Sequence, residues 1–319
     1  MRAFLGFCAK AAISALLLYL ALRLVSVDEL LARLRQIEPG WIAAALALLL
    51  VQVTLATERW RRIAQFCGAE MSFRPAFRLT MIGAFFNQTL PSTVGGDVVR
   101  TVLLARAAGH WKAAVYAAFV DRASGLIWLA ALVFVCLPWS LALIGDPIGR
   151  GAIAVIGVAG VIGPAAAITI AQVARDRLHR WSVTRHIVDI AEALRRVAAS
   201  RRPGAAVAGL SLTIHLLTVV VTWCGAQAIG AQFSLSDALL LIPPVTLVSA
   251  VPISIAGWGV REGAMVAAFV YAGLPEGDGL AVSVLYGAEL FIIGCLGGLV
   301  WITSGADMRG AAALPSQSE

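Results

Sequence analysis

The amino-acid sequence predicts an all-α, polytopic integral membrane helix bundle: two inverted repeats, each with three spans and one broken or re-entrant helical segment. Three observations predict it. Only 13% of the 319 residues are charged and 60% are hydrophobic, whereas soluble domains carry about 25% charge. Six apolar runs are long enough to cross roughly 30 Å of hydrocarbon, which takes about 20 residues. Two further apolar regions are each interrupted near mid-length by a proline, glycines and an arginine.

The first run, about 4–25, follows a basic start in "MRAFLGFCAK" and has the look of a signal peptide. No A-x-A-like cleavage site follows and another apolar run comes next, so it reads as a retained span. The second, about 41–57, is short and is expected to extend to either side. Spans follow at about 115–139, 151–173, 205–229 and 281–304. One transmembrane domain then covers 1–319, with repeat 1 at about 4–139, repeat 2 at about 151–304 and a short tail at 305–319.

Between the fourth and fifth spans, 174–204 is rich in arginine, with Leu178, Trp181, Val188, Leu194 and Val197 largely on one helical side. It reads as a cytoplasmic linker, either lying on an anionic membrane surface or serving only as a topogenic basic loop.

The charges fix an expected orientation. If each broken region enters and leaves on one side and both termini are cytoplasmic, 19 of the 25 Lys and Arg fall inside. That is the positive-inside pattern. It also explains the net charge of +7 without nucleic acid as a partner. The five cysteines are scattered, mostly in apolar runs, and read as small hydrophobes.

The two interruptions, "LPSTVGGDVVR" at 90–100 and "VPISIAGWGVR" at 251–261, align at a constant offset of 161. Pro91 meets Pro252, Gly96 meets Gly257, Val99 meets Val260 and Arg100 meets Arg261. Each half has the order span, span, broken segment, span. An odd number of crossings inverts the second half, the arrangement of alternating-access transporters. The prolines end or kink a helix. New helices are expected to start near Gly96 and Gly257, with free N–H groups and positive dipole ends that suit phosphate. Arg100 and Arg261, about one turn inside, would add forked cationic ligands. Whether each break is re-entrant or crosses as two short helices stays open.

Each charged residue also has a structural reading. Arg100 either pairs with Asp97 or meets a head group. Arg261 defies the positive-inside bias, and Glu262 beside it is expected to face another partner, since adjacent helix residues point about 100° apart. Asp121–Arg122 and Glu289 sit roughly two turns inside their spans, where ionisable groups are costly. Asp121 could neutralise Arg100 and Glu289 could neutralise Arg261, or either acid could relay protons. His215 reads as a packing histidine, and Gly294 with Gly298 as a close-packing pair. No Walker A, HExxH or GxSxG pattern occurs, so neither a cofactor, a metal nor an enzymatic role is expected.

"FFNQTLPSTVGGDVVRTVLLAR" (85–106), "DRASGL" (121–126) and "VPISIAGWGVREGA" (251–264) together resemble the hallmark stretches of the lysylphosphatidylglycerol synthase transmembrane-region, or flippase-like, family of bacterial and archaeal proteins. The resemblance covers about 5–305. It implies a lipid-translocation domain with Pro91, Gly96, Asp97, Arg100, Asp121, Arg122, Pro252, Gly257, Gly259, Arg261 and Glu262 as the head-group site; Glu289 joins them from its depth in the last span. Members with an appended synthetase domain flip aminoacylated phosphatidylglycerol. This sequence ends in "ADMRGAAALPSQSE", so a stand-alone member without the synthetase is expected.

The resulting expectation is a multi-pass inner-membrane protein that moves an anionic or lipid-linked head group between leaflets. Its partner would be a membrane phospholipid or other envelope lipid, with a separately encoded lipid-synthesising enzyme as a further one. Competing readings are a small-solute or ion transporter, an enzyme on lipid phosphate, and a non-transporting partner of an envelope-lipid synthase.

Overall fold

The computed structural model describes residues 35, 37–90, 94–173, 182–251 and 257–304. Among them there are ten helices and no strand. The first expected span at 4–25, Pro91, Pro252, Leu178, Trp181 and the tail at 305–319 lie outside the described residues.

Helix α1 (Pro39–Phe66) starts on a proline, whose fixed φ suits the first turn, and runs past the apolar stretch into charged sequence. The expected extension of the second span is found at both ends. Its C-terminal turns carry Glu58, which pairs with Arg61 at 2.8 Å and Arg62 at 2.7 Å. Helices α4 (Trp111–Leu143), α5 (Pro147–Val173), α7 (Arg201–Ala228) and α10 (Glu276–Thr303) are likewise long and apolar. With α1 they make five helices able to cross a membrane by length and composition. Ser200 caps α7 by accepting the Gly204 N–H at 3.1 Å.

Both predicted interruptions are real. Helix α2 (Phe73–Thr89) stops before the first, and α3 (Gly95–Ala108) starts after it. Helix α8 (Leu235–Ser249), opened by a Ser234–Asp237 capping box, stops before the second, and α9 (Val260–Tyr271) follows it. These four have 17, 14, 15 and 12 residues. At about 1.5 Å per residue they reach only about 18–26 Å, short of a full crossing. Gly96 and the stem of Arg100 both lie on Gly83, so α3 folds back along α2. Leu241, Ile242 and Val245 of α8 share a buried cluster with Met265 and Phe269 of α9.

The start of α9 departs from expectation. It begins at Val260 rather than near Gly257, because Gly257 and Gly259 have φ of 82° and 87°, outside helical space. Arg261 is therefore the second residue of its helix, while Arg100 is the sixth of α3.

The helix contacts obey an exchange rule. Where α1 packs on α2 and α4, α7 packs on α8 and α10; α2–α3 and α3–α4 are matched by α8–α9 and α9–α10. Across the halves, α2–α10 is matched by α4–α8 and α4–α7 by α1–α10, with α1 against α7 at the centre. Close approach is built from glycine. A Cβ on Gly96 would overlap the Gly83 carbonyl oxygen, and one on Gly297 would overlap that of Met81. Gly294 and Gly298 pack against Gln88 and Phe85 of α2, as their spacing led us to expect.

Gly96→Ala is expected to cost about 1–3 kcal/mol by overpacking. Gly83→Ala, whose Cβ would sit 3.2 Å from the Gly96 oxygen, should cost less. Thermal unfolding of the two variants in detergent checks the order.

The 174–204 stretch contains helix α6 (Ser182–Ala199). Its apolar stripe packs on protein: Val188, Ala193, Leu194 and Val197 are buried where α6 meets α4, α5 and α7. Tyr116 on α4 pins the helix by bonding His186 at 2.8 Å and Asp189 at 3.1 Å. Arg185, Arg195 and Arg196 stay exposed. Cys67, Cys136, Cys224 and Cys295 are free thiols; burial pushes the Cys67 thiol up to about 11, which keeps it inert.

Candidate functional site

The two broken segments meet at one cavity of ≈ 500 Å³. Asp97 and Arg100 reach it from α3, Gly257 from the turn before α9, and Arg261 from α9. Helix α1 supplies Gln52 and Arg59, α2 Asn87 and Gln88, and α4 Asp121 and Arg122. Helices α7, α8 and α10 add His215, Thr246 and Tyr286.

On the first side the charges form a closed chain. Asp121, buried, accepts from Arg59 Nε through Oδ1 and from Arg100 Nη2 through Oδ2, both at 2.8 Å. Arg100 also contacts Asp97 at 3.1 Å, and Asp97 in turn takes Arg122 Nη1 at 2.8 Å. Both structural pairings foreseen for Arg100 are thus made at once. Its guanidinium lies over the Trp60 ring, 4.7 Å from the centroid. Gly125 makes the seat for Arg59: a Cβ there would come within 3.2 Å of Nη1. His215 is satisfied as a packing residue, its Nε2 2.9 Å from the Gly125 carbonyl oxygen. Arg59, Arg100 and Arg122 thus meet at the carboxylates of Asp97 and Asp121.

The second side is built on the same plan with different residues. Arg261 is buried and gives Nη2 and Nε to Glu262 Oε1 at 2.7 and 3.1 Å, with Nε also 3.1 Å from Ser283 Oγ. It stacks on Trp258 at 4.9 Å. Gly287 leaves the room, since a Cβ would run into the guanidinium.

One expectation is extended here and another corrected. Glu262 has the other partners expected of it, the Gly259 N–H at 2.6 Å and Ser283 Oγ at 3.1 Å, but it also takes Arg261: as the third residue of α9 it reaches back toward Gly259, and the long arginine folds onto the same carboxylate. Glu289 does not neutralise Arg261. It is buried away from the cavity lining and neither carboxylate oxygen is bonded among the described residues, while Glu262 occupies the guanidinium. The helix ends are also less open than expected, since the Gly96 N–H donates to Asn87 Oδ1 at 2.8 Å and the Gly259 N–H to Glu262.

Of the predicted site residues, Asp97, Arg100, Asp121, Arg122, Gly257 and Arg261 line the cavity. Gly96 packs on Gly83 behind Arg100, the Gly259 N–H bonds Glu262, and Glu262 holds Arg261. Sequence reasoning missed Arg59, counted only as a topogenic arginine, and the seats at Gly125 and Gly287. Arg59 carries a signal after the fact: it continues the helix of an apolar span and precedes a buried tryptophan.

A comparison with protein families matches residues 7–298 to the family described as lysylphosphatidylglycerol synthase TM region. The chain belongs to that family. The match covers all ten described helices up to the last turns of α10, so the cavity lies wholly within it. Family membership and the apolar helices make this a multi-pass membrane protein of a family tied to lipid modification and translocation. A search of the curated proteins finds no match.

Proposed function

We propose that the protein is a flippase-like transporter that moves an anionic or lipid-linked head group between leaflets of the bacterial inner membrane. Its termini are cytoplasmic, it performs no chemistry on the lipid, and it serves a separately encoded lipid-synthesising enzyme. The observation that carries this reading is the ≈ 500 Å³ cavity lined by arginines from both broken segments, with Arg59 and Arg122 beside Arg100. Guanidinium groups bind phosphate through paired hydrogen bonds and cannot be neutralised by deprotonation. The matched contacts of the two halves support an internal repeat; its inversion rests on the odd number of spans expected in each half. In the cycle, the Arg100 side and the Arg261 side would open in turn to opposite leaflets.

A cavity of this volume would suit a head group whose acyl chains stay in the bilayer. It also falls in the range of small-molecule sites, about 300–1,000 Å³, and so favours a small anionic solute as the second reading. Reconstitution in liposomes separates the two. Protein-dependent movement of fluorescent phosphatidylglycerol, faster than that of a neutral lipid, is the expected result. Uptake of soluble glycerol phosphate with no lipid movement would favour the second reading instead.

Thr246→Trp, which fills the cavity without touching an ion pair, is expected to slow lipid movement by about tenfold, equivalent to about 1.4 kcal/mol. An unchanged melting temperature would confirm that the fold survives.

A further inference from the structure

Among the described residues, one buried acid near the site belongs to no ion pair. Glu289 on α10 is 2% exposed and neither carboxylate oxygen has a hydrogen-bond partner. Asp97, Asp121 and Glu262 are each held by at least one arginine. Tyr286, Leu290 and Ile293, on either side of Glu289 along the helix, line the cavity. Glu289 therefore sits directly behind the cavity wall. Its Oε1 faces Gly225 of α7, where a Cβ would come within 3.9 Å.

The described helices packed around it supply no countercharge. On α7 the titratable neighbour is Cys224, and on α10 itself it is Tyr286. On α9 the nearest charge is Arg261, held by Glu262 and 5.7 Å from the Tyr286 ring. Helix α1 packs here with Ala45 and Leu49, and its charges, Glu58, Arg59, Arg61 and Arg62, are all beyond Gln52. Helix α2 meets α10 through Met81, Phe85 and Gln88, with Arg74 and Arg78 toward its far end. An unpaired carboxylate in such a place costs several kcal/mol, far more than a neutral acid. Asp97, Asp121 and Glu262 each face an arginine, whereas Glu289 faces none among the described residues.

We propose that Glu289 is a proton-binding site that couples lipid movement to a proton gradient. The proton is bound while the α7–α10 contact is closed, as in this structure. It leaves when that contact parts and cavity water reaches the carboxylate. One proton enters from one side of the membrane and is released on the other per transport cycle, while Asp97, Asp121 and Glu262 only position arginines. This deepens the lipid-transport reading and rests on it.

The test uses the full-length protein in liposomes with an imposed pH gradient and fluorescent phosphatidylglycerol. With one coupled proton, a gradient of about one unit should drive the leaflet distribution about tenfold from even. Glu289→Gln should still move lipid but equilibrate it evenly, and Glu289→Asp should restore gradient dependence. A gradient response in Glu289→Gln equal to wild type, or none in a wild type that does move lipid, overturns the coupling. If wild type moves no lipid, the transport reading fails, and the proton site is judged by infrared spectra in nanodiscs. A protonated carboxyl band present at neutral pH and lost in Glu289→Gln supports the site; its absence from wild type overturns it.

Discussion

Asp121→Ala is expected to destabilise the protein by about 3–5 kcal/mol, the cost of breaking a buried charge pair from one side. Among the described residues Asp121 is the acceptor shared by Arg59 and Arg100, each bonded to a different oxygen at 2.8 Å. Removing it leaves the half-buried Arg59 with Ser211 and the buried Arg100 to share Asp97 with Arg122. Water cannot compensate easily, since Trp60 covers one face of Arg100 and is itself fully buried. Thermal unfolding in detergent, followed by tryptophan fluorescence, checks this. Asp121→Asn should fall between the two, because it keeps an acceptor and loses the charge. Asp121→Ala combined with Arg100→Met should recover part of the loss by removing one orphaned cation. A wild-type melting temperature for Asp121→Ala would show that the chain of pairs does not hold α1, α3 and α4 together.

Arg261→Ala carries the largest expected functional effect. A hydrogen bond to a charged group contributes about 1.5–3 kcal/mol, so losing one to a phosphate should slow lipid movement by roughly 10- to 100-fold. The same change strands Glu262, which is wholly buried and keeps only Ser283 Oγ and the Gly259 N–H. Lost stability must therefore be told apart from lost transport. The double variant Arg261→Ala/Glu262→Gln removes the stranded charge and should recover stability without recovering transport. Arg261→Lys keeps the charge but loses the planar stack on Trp258 and the forked geometry, so its rate should lie between the two. Full transport by the double variant would take Arg261 out of the mechanism.

The correspondence of the two broken segments was visible in the sequence because its carriers are backbone-dictated. Glycine at a close approach or a positive φ, and proline at a helix end, leave marks that need no partner to be read. Gly96 and Gly257 are of this kind, and the helices indeed stop at Thr89 and Ser249. The pairing of the charges was legible only where partners were few. Asp121 with Arg100 was foreseeable; Arg261 with Glu262 was not. Spacing on a helix describes where a Cβ points, while a long arginine can return to its own neighbour when that neighbour is held by the N-terminal turn.

Local chemistry alone determined the membrane class, the long apolar helices, the two interruptions and most residues of the charged site. Apolar length and helix-breaking residues act within a few positions along the chain, so one sequence suffices to see them. Only the tertiary structure decided that Arg59 enters the site, that α6 packs on protein, and that Glu289 is left without a partner. Those outcomes depend on which of several chemically equal arginines and acids arrive together across helices, and that is set by the contacts of the whole bundle.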